Sequence, residues 1–309
     1  MPPPAECCWF LTGPTASGKT AVGLELARRI GAEIVAMDSM TLYREMDIGT
    51  AKPDAQGRLA VPHHLVDILG PDESCSLAWY LEAAKRSIAE IRSRGREVLL
   101  VGGTPLYLKG LLRGIFQGPA ADWPYRRGLQ DEARQQPAGW LHARLAAVDP
   151  VAAGRLHTND TRRLVRALEV FHQTGRPISQ LQVQFQTARP AAECRVFVLD
   201  WPRAELHERI DRRVEEMFTA GLVDEVRRLL ARPQPLNKMA RQAVGYREVI
   251  EHLAGDRDVP QTIELVKLHT RQLAKRQCTW FRSLSECRPV PVSVQLDPPA
   301  LAARIAELA

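Results

Sequence analysis

Residues Gly13-Pro14-Thr15-Ala16-Ser17-Gly18-Lys19-Thr20 have the spacing Gly-x-x-x-x-Gly-Lys-Thr and lie between an apolar run and a periodic helical stretch. Two glycines at that spacing let the backbone wrap an anion so that successive N–H groups point inward. The start of the following helix and the Lys19 ammonium add positive charge, and the Thr20 hydroxyl suits Mg²⁺. This is chemistry for a phosphate, and it does not say that the phosphate belongs to a nucleotide.

A phosphoryl-transfer enzyme normally adds an apolar strand that ends in a metal-holding acid. Val196-Phe197-Val198-Leu199-Asp200 has that form but comes late and runs into Trp201-Pro202. Val98-Leu99-Leu100-Val101 is better placed but ends in Gly102-Gly103-Thr104. The standard acid is therefore missing from its expected place. Asp38 instead follows a second apolar run, in Met37-Asp38-Ser39-Met40-Thr41. At the carboxyl end of a parallel strand it would open onto the same crevice as the phosphate loop, although an Asp-Ser pair also serves simply to turn a chain.

Two helical stretches carry basic residues at helical spacing. Arg162 and Arg166 are four apart in Asn159-Asp160-Thr161-Arg162-Arg163-Leu164-Val165-Arg166, a spacing that suits neighbouring phosphates but equally suits a solvated face. Arg271, Lys275 and Arg282 fall near one face of a later helix beside Trp280 and Phe281. Aromatic rings among basic groups suit RNA bases, and Trp280 is also a reasonable core residue. Arg209 and Arg213, again four apart, could face a diphosphate.

The elements that must position these groups follow from periodicity. Cys7–Thr12, Ala32–Met37, Glu97–Val101 and Arg195–Leu199 read as strands, with Leu65–Leu69 as a short further one. Gly18–Ile30 and Leu77–Arg94 read as helices between them, which predicts βαβ units and a parallel sheet. From 118 to 190 the chain is rich in Arg, Gln, Ala and Pro, with helical patterns at Gly139–Val148 and Thr161–Thr174. Beyond the returning strand, Ala204–Thr219, Val223–Leu230, Gln242–Leu253 and Pro260–Phe281 are helical, with Gly221 and Gly255 as C-caps, before a short strand and a terminal helix. The expected architecture is α/β, a P-loop core with a parallel sheet from 1–112 and 196–309, C-terminal helices, and an inserted all-helical domain at 113–195.

At 309 residues the chain has room for about two domains. With 45% hydrophobic and 25% charged residues it has the composition of a globular protein, not of a disordered or collagenous one. No apolar run is long enough for a membrane helix, and no leader is evident, so a cytoplasmic location is expected. The six cysteines show no C-x-x-C pair, which leaves a zinc site unsupported. The net charge is +6, and it is unevenly placed. Residues 1–112 hold 12 basic and 13 acidic groups, 113–195 hold 12 and 7, and 202–282 hold 16 and 12.

The phosphate loop, Asp38-Ser39, Val101-Gly102-Gly103-Thr104, Asn159-Asp160-Thr161-Arg162-Arg163, Val244-Gly245-Tyr246-Arg247 and Ala274-Lys275-Arg276-Gln277-x-Thr279-Trp280 occur in this order. Over essentially the whole chain this series resembles the bacterial tRNA dimethylallyltransferases, also called tRNA isopentenyltransferases. The resemblance implies transfer of a dimethylallyl group from dimethylallyl diphosphate to N6 of the adenosine just 3′ of the anticodon, with Mg²⁺ as cofactor. The loop would then hold the diphosphate leaving group, and no phosphorus is attacked, so no standard acid is needed.

By the same resemblance, Lys19, Asp38 and Thr104 are catalytic, with Asp38 as general base, and Gly13 to Thr20 bind the diphosphate with Thr20 on the metal. The tRNA contacts implied are Asp38, Ser39, Met40, Thr41, Thr104, Arg126, Arg162, Arg163, Leu164, Val165 and Arg166, with Lys275 and Arg276 from the late helix. The two positive blocks would hold the anticodon stem-loop, and the enzyme is expected to be a monomer. Two other readings fit the loop alone: a small-molecule or nucleotide kinase, and a non-catalytic RNA-binding regulator.

Overall fold

The structure, a computed structural model, describes residues 7–116, 118–182, 189–293 and 295–309. The chain divides into two compact units, Met1–Leu112 with Ala188–Ala309, and Arg113–Thr187.

The larger unit is built on six parallel strands: β1 (Trp9–Thr12), β2 (Ala32–Ala36), β3 (His63–His64), β4 (Glu97–Gly102), β5 (Val196–Asp200) and β6 (Cys287–Pro291). Their order is β3-β2-β4-β1-β5-β6. All carboxyl ends therefore point the same way, and β1, β4 and β2 lie side by side. β1, β2 and nearly all of β4 and β5 are buried, which is why they read as continuous apolar runs. β3 is shorter and earlier than the expected strand at 65–69. Leu65 and Asp67 take left-handed φ values of 60° and 56°, so the backbone leaves extended geometry directly after His64.

The helices follow in chain order among the described residues. They are α1 (Lys19–Ile30), α2 (Ala55–Ala60), α3 (Leu77–Ser93) and α4 (Pro105–Arg113), then, in the second unit, α5 (Trp123–Arg134), α6 (Trp140–Val148), α7 (Pro150–Ala153), α8 (Thr161–Thr174) and α9 (Ile178–Leu181). The chain returns through α10 (Arg203–Thr219), α11 (Leu222–Leu230), α12 (Lys238–Gln242), α13 (Tyr246–Leu253), α14 (Val259–Arg282) and α15 (Pro298–Glu307). The helix expected over Gln242–Leu253 is two elements, because Ala243 is extended and Gly245 has φ 95°. Gly221 and Gly255, both at positive φ, follow the C-caps Ala220 and Ala254. α14 opens with a capping box in which Asp258 accepts from the Gln261 N–H, followed by Pro260 in its first turn.

The core of the larger unit gathers Leu11, Val22, Leu26, Leu99, Phe197, Leu199, Ile210, Val266 and Ile305. The smaller unit has its own core of Leu129, Leu145, Leu164, Val165, Leu168 and Val170. Residues 189–195 group with the sheet unit. Residues just before β5 belong to the sheet unit because the Arg195 carbonyl accepts from the Phe10 N–H and its guanidinium lies 4.9 Å over the Trp9 ring. Among the described residues no helix is long and apolar enough to cross a membrane.

Candidate active site

The phosphate loop leaves β1 and enters α1 with Gly13, Ala16 and Gly18 at φ 150°, 62° and 86°. A non-glycine residue such as Ala16 in the left-handed region marks a loop held by its surroundings. Those surroundings come from the late part of the chain. Trp201 Nε1 donates to the Ser17 carbonyl at 3.0 Å, and Arg209 Nε donates to the Ala16 carbonyl at 3.0 Å. The Arg209 guanidinium also lies 4.5 Å over the Trp201 ring, so Arg209 buttresses the loop from behind rather than facing a ligand.

The ends of β4 and β2 are locked together beside the loop. Met37 N–H donates to the Val101 carbonyl at 2.8 Å, and Thr104 N–H donates to the Met37 carbonyl at 3.2 Å. A Cβ at Gly102 would sit 2.0 Å from the Met37 carbonyl oxygen, so only glycine permits this approach. The Thr104 hydroxyl accepts from the Ser39 N–H at 3.1 Å, and Thr12 Oγ1 donates to the Gly102 carbonyl at 2.7 Å. Asp38 turns the chain as well as facing the crevice: its Oδ1 accepts from the Met40 N–H at 2.9 Å. Tyr80, stacked on Tyr107, donates to the Ala36 carbonyl at 3.0 Å and fixes the end of β2.

Thr15 to Thr20, Asp38, Thr41, Arg213 and Gln277 line one cavity of about 430 Å³ at these strand ends. The rest of its wall is partly apolar, from Ile34, Ala36, Val66 and Val101. Lys19 Nζ donates to the Pro14 carbonyl at 2.7 Å. Desolvation pushes its pKa down to about 8, opposed by the Asp38 carboxylate and reinforced by Arg213. Burial likewise lowers the Arg213 pKa, with Asp38 and Glu216 working the other way. Arg213 makes no hydrogen bond or close ion pair among the described residues, and the buried Ser17 hydroxyl has no partner either. An unpaired guanidinium and an unpaired hydroxyl in one cavity leave donors for an anion.

Asp200 is not part of this wall. It borders a separate hollow with Cys278 and Phe281, 3.6 Å from Arg282. Nor do Ser39, Met40 and Thr104 line the cavity; Thr104 and Ser39 hold the turn that presents Asp38.

The basic residues divide differently from the expectation. In the smaller unit the Glu169 carboxylate is fully buried and receives Arg126 through Nε at 2.8 Å and Nη2 at 2.7 Å, and Arg166 through Nη1 at 2.5 Å. Arg166 also donates to the Pro119 carbonyl at 3.0 Å. Both guanidinia are thus bound to an internal partner, and Arg162 and Arg166 do not form a matched phosphate pair. Leu164 and Val165 are 0% and 2% exposed and fill the core. Arg162 and Arg163 are exposed, Arg163 pairing with Asp160 at 3.3 Å.

On α14, Lys275 and Arg276 are exposed and share a shallow hollow with Gln272, Thr279 and Trp280. Arg271 instead pairs with Asp211 at 2.9 Å, and Phe281 is buried in the core. Sequence reasoning assigned no role to Gln277 or Glu225. Glu225 accepts from the N–H groups of Asp47, Ile48 and Gly49 and from the Tyr246 hydroxyl at 2.7 Å, tying down the loop whose Thr50, Ala51 and Pro53 reach the cavity.

Residues 41–284 match the IPP transferase family, and residues 7–60 match the isopentenyl transferase family. A tRNA dimethylallyltransferase of Geobacter metallireducens is 50% identical over 90% of this chain and 90% of its own length. One from Rhodopirellula baltica is 49% identical over 90% and 86%. Among solved structures, the tRNA isopentenylpyrophosphate transferase of Bacillus halodurans superposes with a TM-score of 0.70 at 36% identity, covering 98% of this chain and 96% of that one. A eukaryotic dimethylallyltransferase acting on tRNA shares the fold, with a TM-score of 0.74 at 24% identity over 92% of this chain and 73% of that one. The parallel sheet with its phosphate loop and the similarity along nearly the whole length lead to one conclusion: the chain belongs to the tRNA dimethylallyltransferase family.

Proposed function

We propose that the cavity at the strand ends carries out the family's reaction with dimethylallyl diphosphate as donor and N6 of the adenosine 3′ of the tRNA anticodon as acceptor. The observation that carries the assignment is that Lys19, Thr20 and Asp38 face one cavity whose remaining wall includes Ile34, Ala36, Val66 and Val101. The diphosphate lies against the Gly13–Thr20 loop, where the Ser17 hydroxyl, Lys19 and Arg213 meet its charge. The five-carbon chain lies against the apolar wall.

As the allylic carbon–oxygen bond breaks, negative charge grows on the leaving oxygen, and Lys19 and the loop stabilise it where it develops. The N6 lone pair forms the new carbon–nitrogen bond, and the displaced N6 proton passes to the Asp38 carboxylate. Thr104 acts one step back by fixing the Asp38-Ser39 turn. The adenine must leave its stack to reach the cavity, at a cost of a few kcal/mol that contacts to the RNA offset.

The donor set fits a Mg²⁺ carried on the substrate. Among the described residues no group of three or more His, Cys, Asp or Glu is placed to hold a metal alone, while the Thr20 hydroxyl and Asp38 carboxylate border the same cavity. Mg²⁺ takes six oxygens and is commonly held by one or two protein groups plus phosphates and water. When bound, it supplies further charge neutralisation on the diphosphate.

For tRNA, the candidates are the exposed Arg162 and Arg163 on the smaller unit and, on α14, the exposed Lys275 and Arg276 beside the half-buried Trp280. Radiolabel should pass from dimethylallyl diphosphate into tRNA without ATP. A requirement for ATP, or label in phosphate only, would favour a kinase instead.

A further inference from the structure

Gln277 joins the phosphate loop to the turn after β4. Its Oε1 accepts from the Thr15 N–H at 2.9 Å, and its Nε2 donates to the Gly103 carbonyl at 2.6 Å. The side chain is 8% exposed, and the two contacts lie 262 and 174 residues away in sequence. A primary amide is the side chain that can accept from one backbone group and donate to another at this reach.

The position on α14 separates this residue from its RNA-facing neighbours. Ala274, Gln277 and Phe281 are buried at spacings of three and four, one face of the helix. Lys275, Arg276 and Thr279 are exposed on the other side. The approach at Gly103 is equally specific: a Cβ there would meet Gln277 Nε2 at 2.9 Å and lie 3.4 Å from the Gly13 carbonyl oxygen and 3.5 Å from Lys19 Nζ.

The Gly102-Gly103-Thr104 turn in turn holds Met37 and Ser39, on either side of Asp38. The chain of contacts thus runs from Thr15 through Gln277 and Gly103 to Thr104, Ser39 and Asp38. We infer that Gln277 is a positioning residue that sets the distance between the diphosphate held by the loop and the carboxylate that receives the N6 proton, a role that presupposes the reaction proposed above. Both of its polar atoms are engaged by backbone, so it acts through the groups it holds.

Gln277→Met keeps the shape and removes both hydrogen bonds, and Gln277→Glu keeps the acceptor but donates to Gly103 only when protonated. Steady-state kinetics of the full-length protein with tRNA and dimethylallyl diphosphate distinguish the possibilities. For Gln277→Met, kcat/KM for the diphosphate should fall by about tenfold or more, as sub-ångström misplacement of reacting groups does. KM for tRNA should stay within about twofold, as befits a residue without RNA contact. The activity of Gln277→Glu relative to the parent should rise as pH falls from about 8 to about 6, as the acid regains its donor.

A rise in KM for tRNA with unchanged kinetics toward the diphosphate would overturn the assignment in favour of an RNA contact. Parent-like kinetics of Gln277→Met, or a pH profile for Gln277→Glu parallel to the parent's, would also overturn it. If Gln277→Met does not fold, the pH ratio of Gln277→Glu decides alone. Failure of the reaction assignment itself would show differently, as absence of transfer by the parent protein.

Discussion

The hydroxyl of Thr104 accepts a hydrogen bond of 3.1 Å from the backbone N–H of Ser39, so the residue that closes β4 holds the turn that closes β2. Asp38 is the residue immediately before that N–H. The geometry makes Thr104 a support for the general base.

Removing the Thr104 hydroxyl should therefore act mainly on the chemical step. Thr104→Val keeps the shape and leaves the Ser39 N–H without its partner, and kcat should drop by about ten- to a hundredfold with smaller changes in either KM. Thr104→Ser should recover most of the loss. Steady-state kinetics with each substrate varied separately check this, and an effect confined to KM for tRNA would assign Thr104 to the RNA instead.

Lys19 gives the free enzyme a pH limit. Its pKa is lowered to about 8, so its charge is complete well below that pH and disappears as pH rises through it, earlier than for an ordinary lysine. Because kcat/KM reports the unliganded enzyme, kcat/KM for dimethylallyl diphosphate should decline above about pH 8. The limb should be absent in Lys19→Ala, whose activity should already be lower by about a hundredfold or more.

The phosphate loop, Asp38 and the parallel sheet were legible because each is local. A motif eight residues long sits between a strand and a helix, and continuous apolar runs mark doubly covered strands. Gln277 and Glu225 escaped because their partners lie 262 and 178 residues away, and no spacing encodes such pairings; Arg209 was singled out, but its partner 193 residues away makes it a support of the loop. Arg166 misled for a different reason: its helical spacing from Arg162 is real, but the buried Glu169 carboxylate three residues on, shared with the distant Arg126, claims it.

That cluster makes Arg162 and Arg166 of α8 respond differently. Arg162→Glu, on the surface, should raise KM for tRNA severalfold at low salt and leave KM for the diphosphate unchanged. Arg166→Glu places a carboxylate against Glu169 and should destabilise the smaller unit before any RNA effect is measurable. Urea unfolding alongside the kinetics separates the two, and equal stability of both variants would contradict the buried pairing.

Glu169 itself should be a stability residue. Desolvation would raise its pKa, but hydrogen bonds from Arg126 and Arg166 and from the Asp122 N–H outweigh it and hold the carboxyl below its ordinary value. A depressed carboxylate contributes stability above its unfolded pKa of about 4.3 and loses it as pH falls through the lower folded value. Glu169→Ala should cost about 3 kcal/mol near neutral pH, the lower end for a buried pair because Arg126 and Arg166 keep 23% and 30% of their side-chain surface exposed. Hydrogen exchange across α8 should report the loss, and unchanged protection there would contradict it.

The central claim is that this cavity joins a dimethylallyl group to adenosine with Asp38 taking the proton. Mass spectrometry of nucleosides from tRNA incubated with the protein, dimethylallyl diphosphate and Mg²⁺ tests it most directly. The parent protein should replace one N6 hydrogen of the adenosine beside the anticodon with a dimethylallyl group, and Asp38→Ala should leave that adenosine almost wholly unmodified under the same conditions. Unmodified adenosine with the parent protein, or full modification by Asp38→Ala, would contradict it.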